Sequence, residues 1–107
     1  MENVQFSGHD TVALAEQYGT PLYVMSEDII RDRIESVKKA FEEAGADYEV
    51  NFAGKAFTNV AMCKIVASEG IALDAVSKGE IMTAQAADFP MDRICYHGNN
   101  KKVRELK

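Results

Sequence analysis

The feature that most constrains the fold is a repeated alternation of β-prone runs and helical patterns after residue 46. Residues 48–53, 71–76 and 93–97 are short β-prone runs, rich in apolar residues, that predict three strands. One helical pattern fills each interval, at residues 59–69 and 77–87. Strands that alternate with single helices build parallel sheets. The sequence therefore predicts an α/β fold made of consecutive βα units.

A chemically capable residue stands at the end of each predicted strand. These residues are Lys55, Asp74 and His97, and they are separated by 19 and 23 residues. Because the carboxyl ends of adjacent parallel strands meet at one edge of a sheet, we expect the three side chains to converge. Lys55 follows Gly54, which leaves room beside it, so its amine is a candidate nucleophile or imine-forming group. The alternative is an ordinary solvated surface lysine.

Residues 1–46 have a different organisation. Asp10 is positioned to cap a helix that ends near Gly19, and residues 22–25 predict a short strand. Ser26 then caps a second helix, whose apolar stripe ends before Gly45. We expect residues 1–46 to form an N-terminal helix–strand–helix segment and residues 47–107 to form the first βα units of a barrel. With 107 residues, the chain is too short for a closed (β/α)₈ barrel, which needs about 200.

Composition excludes several classes of partner. Hydrophobic residues make up 47% of the chain and the net charge is −5, with the basic residues dispersed, which argues against a nucleic-acid partner. The sequence contains neither an apolar run of membrane-spanning length nor a signal-peptide pattern, so a cytoplasmic protein is expected. Cys63 and Cys95 lack metal-site spacing with His9 or His97, so we expect buried thiols and no metal site.

Four stretches carry a resemblance to a known family. They are YGTPLYV at 18–24, FAGKAF at 52–57, LDAVSKGE at 73–80 and HGNNK at 97–101. In this order they resemble the N-terminal part of the diaminopimelate decarboxylases, which are pyridoxal-phosphate enzymes of the alanine-racemase-like fold type. The resemblance covers essentially the whole chain. It implies a partial (β/α)₈ barrel (TIM barrel), of which this chain supplies the first three βα strands.

The resemblance also implies roles for individual residues. Lys55 is similar to the lysine that holds pyridoxal 5′-phosphate as an imine, Asp74 to an acidic residue beside the cofactor, and His97 to a residue lining the same site. The implied substrate is meso-diaminopimelate, which the family converts to L-lysine and CO₂, and the full-length enzyme is expected to be a homodimer. The family's glycine-rich phosphate-binding loops and its β-rich domain have no counterpart in these 107 residues. The chain alone is therefore expected to be an inactive fragment.

Other interpretations remain open at this point. Related decarboxylases acting on ornithine, arginine or carboxynorspermidine share the first three stretches, whereas HGNNK favours diaminopimelate. A non-enzymatic cofactor-binding or interaction domain, in which Lys55 is incidental, is the third possibility. Glu80 matches an acidic position of related decarboxylases, but Ser77 and Glu80 also form a capping box, S-x-x-E, and the structural role is the favoured one. His97 is equally compatible with a structural histidine at a strand end.

Overall fold

The structure is a computed structural model, and it describes residues 2–96. A two-stranded antiparallel hairpin comes first, followed by two helices and then by alternating strands and helices. Two short 3-10 turns, at Gly54–Ala56 and Met91–Arg93, lie within the parallel region. The elements in chain order are β1 (Gln5–Phe6), β2 (His9–Asp10), α1 (Thr11–Tyr18), α2 (Glu27–Glu43), β3 (Asn51–Ala53), α3 (Val60–Ser68), β4 (Ala72–Ala75), α4 (Lys78–Ala86) and β5 (Ile94–Tyr96).

The predicted α/β arrangement is confirmed. Strands β3, β4 and β5 form a parallel sheet in that order, with one helix in each connection. Ala53 pairs with Asp74, and Asp74 pairs with Cys95, so these three residues form one row across the sheet. The three strands are therefore the first part of a βα array, as the spacing predicts.

The hydrophobic core lies between this sheet and helices α3 and α4. Leu73 on β4 is 1% exposed, and Val66 on α3 and Ala84 on α4 are completely buried. Phe52 on β3 and Ile94 on β5 pack against the same cluster. Because side chains alternate along a strand, the row Ala53–Asp74–Cys95 points away from this core. We call that side of the sheet the inner face, because it would face the inside of a closed barrel.

Side chains cap the helices at three predicted positions, Asp10, Ser26 and Ser77, and at Asn59, which was predicted as the first helical residue. Each of the four accepts a hydrogen bond from a backbone N–H in the first turn of the helix that follows. Gly45 and Gly70 follow α2 and α3 with φ of 70° and 74°, a conformation that residues with a Cβ rarely adopt. These local signals set the boundaries of the helices.

Two structural expectations were wrong. Residues 22–25 are not a strand, because within the described chain no partner strand forms a ladder with them, and Tyr23 is 97% exposed. The N-terminal segment is thus helix–extended–helix, and it is preceded by the unpredicted β1–β2 hairpin. Cys95 is exposed on the inner face, whereas Cys63 is buried as expected, and burial raises the pKa of its thiol.

Helix α2 is attached to α3 largely by polar contacts. Arg31 Nη1 donates to Glu69 Oε1 at 2.9 Å and to Ser68 Oγ at 2.7 Å, and Lys38 Nζ donates to the carbonyl oxygen of Glu69. No residue of α2 is buried, although Ile30 and Ile34 pack against the edge of the core. Helix α2 therefore lies at the edge of the core and contributes no fully buried side chain to it. Among the described helices, none combines the length and apolar character of a membrane span.

The core predicts a clear difference between two leucines. Leu73→Ala should lower the free energy of unfolding by about 2–5 kcal/mol, because it opens a cavity beside completely buried neighbours. Leu22→Ala is the matched control, since Leu22 is 40% exposed and should cost less than about 1 kcal/mol. Urea unfolding followed by circular dichroism measures both. If both variants lost the same free energy of unfolding, Leu73 would not lie in the core as the structure places it.

The open edge of the sheet predicts self-association. Within the described chain β3 pairs only with β4, which leaves the backbone groups on its other edge available to another strand. We expect the apparent mass of the chain to rise with concentration in sedimentation experiments. A constant monomer mass across a hundredfold range of concentration would show that the edge is protected.

Candidate functional site

Lys55 lies in the 3-10 turn Gly54–Ala56, directly after β3. Its side chain is exposed, and within residues 2–96 it makes neither a hydrogen bond nor an ion pair. The sequence predicted a lysine at the carboxyl end of this strand, and the structure places it there, one residue after the buried Gly54. The amine is therefore free to react with a bound group.

Asp74 lies within β4, on the neighbouring strand. It is half-buried, and it pairs in register with Ala53, two residues before Lys55. Its side chain projects from the inner face, as does that of Cys95 on β5. The structure thus brings a carboxylate and a thiol to the same face of the sheet, next to the strand that leads to Lys55.

His97 and the rest of the HGNNK stretch lie outside the described residues. The strand that leads to them, β5, is parallel to β4 and adjacent to it. The role of His97 therefore stays a prediction.

Gly54 is enclosed by groups from three parts of the fold. A Cβ at this position would lie 2.6 Å from Glu80 Oε1, 3.0 Å from the backbone oxygen of Asp74 and 3.0 Å from Thr58 Oγ1. Carbon and oxygen atoms do not normally approach so closely, so the turn before Lys55 requires glycine. Glycine is required here because Glu80, Asp74 and Thr58 pack closely around the position. The sequence indicated only that Gly54 leaves room beside Lys55 and did not reveal these neighbours.

Glu80 uses its two carboxylate oxygens differently. Oε2 accepts hydrogen bonds from the backbone N–H of Val76 at 3.1 Å and from Ser77 Oγ at 2.9 Å, while Ser77 Oγ accepts from the backbone N–H of Glu80 at 3.2 Å. The favoured capping role is therefore present, with Val76 as the backbone donor. Oε1 is buried, and among the described residues it has no hydrogen-bond partner. A buried carboxylate oxygen without a donor is unfavourable, so this site is one that a donor group would complete.

Thr58 is a contributor to the site that the sequence analysis missed. Its hydroxyl donates to the carbonyl oxygen of Gly54, and the following residue, Asn59, caps α3. A threonine immediately before a helix cap is the only local signal that could have suggested this role. Phe57 and Asn59 also line a groove of about 710 Å³ between α2 and α3, but Lys55 and Asp74 do not contribute to that groove.

Comparison with known proteins gives a consistent result. The family described as pyridoxal-dependent decarboxylase, pyridoxal binding domain, matches residues 27–107. The diaminopimelate decarboxylase of Bacillus subtilis is 50% identical over 105 residues, which is 98% of this chain and 24% of that protein. That of Methanothermobacter thermautotrophicus is 47% identical over 100 residues, covering 94% of this chain and 23% of the relative.

A solved structure agrees in fold as well as in sequence. The crystal structure of diaminopimelate decarboxylase from M. jannaschii in complex with L-lysine superimposes with a TM-score of 0.78 at 39% identity. The match covers 95% of this chain and 24% of that structure. The chain therefore spans about a quarter of the length of the relatives that it matches.

The enclosure of Gly54 predicts opposite effects for two glycines. Gly54→Ala should destabilise the chain by about 1–3 kcal/mol, because the Glu80 carboxylate is held by the cap and cannot easily move away from the new methyl group. Gly79→Ala, in helix α4, should be neutral or stabilising by up to about 1 kcal/mol, since the nearest atom is 3.8 Å away and alanine favours helix. Thermal unfolding of both variants tests this. An unchanged stability of Gly54→Ala would show that the groups around the turn can move apart to accept a methyl group.

Proposed function

Since the chain belongs to the pyridoxal-dependent decarboxylases, we propose that it forms the lysine-bearing part of an enzyme that converts meso-2,6-diaminopimelate to L-lysine and CO₂. The observation that carries the proposal is the position of Lys55, an unpaired amine on a tightly packed turn at the carboxyl end of β3. Similarity to decarboxylases named for diaminopimelate supports the substrate. The site residues are Lys55, Asp74 and His97.

The residues present fit pyridoxal phosphate. The turn that carries Lys55 has an exposed amine, a half-buried carboxylate, Asp74, on the neighbouring strand, and the buried Glu80 Oε1 atom, which has no donor among the described residues. When bound, the cofactor supplies an aldehyde that condenses with amines and a ring that accepts the electron pair left by loss of CO₂. In this proposal Lys55 Nζ holds the cofactor covalently, and Asp74 and His97 contact it.

The chain's own groups contribute positioning and proton control. The Lys55 amine must lose a proton before it can act as a nucleophile, and it must regain one when the substrate's amine replaces it. Asp74 lies on the strand next to the one that leads to Lys55, so in this proposal its carboxylate exchanges a proton at the Lys55 amine. The buried Gly54 keeps the backbone before Lys55 in one arrangement, which limits the positions that its amine can occupy.

A chimeric enzyme tests this function. The chain would replace the matching quarter of the Bacillus subtilis decarboxylase, with which it is 50% identical, and CO₂ release from diaminopimelate would be measured. We expect the chimera to be active, Lys55→Ala to reduce activity to background because the covalent amine is lost, and Asp74→Asn to cause a smaller loss. Lys39→Ala is the matched control, since the Lys39 side chain is 76% exposed on α2 and should be dispensable.

Two results would contradict the proposal. Near-normal activity of the Lys55→Ala chimera would show that another amine holds the cofactor. Preference of the chimera for ornithine or arginine over diaminopimelate would show that the chain alters the substrate class. The isolated 107-residue chain should release no CO₂, because the resemblance implies that the glycine-rich phosphate-binding loops lie in the part of the relatives that this chain does not cover.

The proposal has three further parts. They are assembly of the complete enzyme as a homodimer, a cytoplasmic location, and a division of this chain into an N-terminal segment of residues 1–46 and barrel units in residues 47–107. The match to the pyridoxal binding domain begins at residue 27, the start of α2, and the similarity to the Bacillus subtilis decarboxylase extends into the segment before it. Sedimentation of the active chimera measures the assembly directly.

A further inference from the structure

The hydroxyl group of Thr58 contacts the peptide that joins Gly54 to Lys55. Thr58 Oγ1 donates a hydrogen bond to the carbonyl oxygen of Gly54, which belongs to that peptide. Thr58 Oγ1 would also lie 3.0 Å from a Cβ at Gly54, so the threonine packs directly over the turn. Any rotation of this peptide changes the direction in which the Lys55 side chain leaves the backbone.

This hydrogen bond links the turn to a rigid part of the fold. Asn59, the next residue, caps α3 by accepting from the backbone N–H of Met62 at 2.7 Å. Met62 is itself buried, as are Cys63 and Val66 on the following turns of α3. The Thr58 hydroxyl therefore connects the peptide before Lys55 to a helix that is anchored in the core.

The Lys55 side chain makes few contacts that would fix its position. Within residues 2–96 its ammonium group has no hydrogen-bond or salt-bridge partner, and its side chain is exposed. The backbone of the turn is thus what sets the starting position of the amine. Of the groups around that turn, Glu80 and the backbone of Asp74 limit the space at Gly54, whereas Thr58 donates a hydrogen bond to its carbonyl.

We propose that Thr58 is a positioning residue for Lys55: its hydroxyl fixes the Gly54–Lys55 peptide so that the amine reaches a cofactor aldehyde in one orientation. The inference rests on the proposed function, because it assumes that Lys55 is the amine that holds the cofactor. Thr58 would orient the Lys55 amine through the backbone and would not touch the cofactor. Displacement of a reacting group by about 1 Å can cost up to about a hundredfold in rate.

The test uses the 107-residue chain with pyridoxal phosphate and sodium borohydride. The lysine amine condenses with the aldehyde and releases water; borohydride then adds hydride to the carbon of the C=N bond, and the nitrogen takes up a proton. The label stays on the lysine, and peptide mapping compares the labelling rate at Lys55 with that at Lys39, the exposed internal reference. A change in the Lys55-to-Lys39 ratio reports on positioning, because both lysines experience the same reagents.

Two variants separate the hydroxyl group from the shape of the side chain. Thr58→Val removes the donor and keeps the branched shape, and it should lower the Lys55-to-Lys39 ratio about tenfold. Thr58→Ser keeps the donor and should stay within about threefold of the unsubstituted chain. Circular dichroism checks that both variants fold, and Thr58→Ala replaces Thr58→Val in the comparison if the valine variant does not.

The outcomes distinguish this inference from the function on which it rests. If Lys55 is labelled preferentially and Thr58→Val leaves the ratio unchanged, the positioning role is wrong and the proposed function stands. An equally low ratio for Thr58→Ser also overturns it, because the hydroxyl group would not be the cause. If Lys55 is labelled no faster than Lys39 in the unsubstituted chain, the inference is overturned, while the assignment of Lys55 is decided separately by the activity of the Lys55→Ala chimera.

Discussion

The rest of the structure depends on the burial of strand β4 between two parallel neighbours. Leu73 packs into the core, and the backbone of β4 pairs with β3 on one side and with β5 on the other. This pairing fixes the register that places Asp74 beside Ala53 and Cys95. Because a shift by one residue would turn Leu73 to the inner face and Asp74 into the core, the hydrophobic effect holds the chemical residues in position as firmly as it holds the core.

The two faces of the sheet consequently carry different kinds of residue: one face stabilises the fold, and the other presents polar side chains. The core side is apolar and closely packed, and it includes buried residues from both connecting helices. The inner face presents Asp74 and Cys95, while Lys55 follows at the end of β3. The residues that stabilise the fold and those that can do chemistry alternate along the same strands. A change on the inner face can therefore alter reactivity at a small cost in stability, whereas a change at Leu73 affects both.

Much of this arrangement could be predicted from local signals. The helix caps at Asp10, Ser26, Asn59 and Ser77 follow from side chains that bind backbone groups a few residues away. The parallel order follows from the alternation of strands and helices. By contrast, residues 22–25 have the composition of a strand, but a strand also needs a partner, which composition does not reveal. The exposure of Cys95 and the enclosure of Gly54 depend in the same way on residues that are distant in sequence.

Glu80 shows why a structural and a functional interpretation of one residue need not compete. Its Oε2 atom completes the cap of α4, which holds the carboxylate in place, and this fixed position is what brings Oε1 against Gly54. A flexible glutamate would turn its second oxygen toward water, where hydration would satisfy it. The cap prevents that rotation, so a buried acceptor remains beside the turn that carries Lys55. The local bond that stabilises the helix thereby sets the polarity of the candidate site, and the sequence motif alone indicates only the first of these two effects.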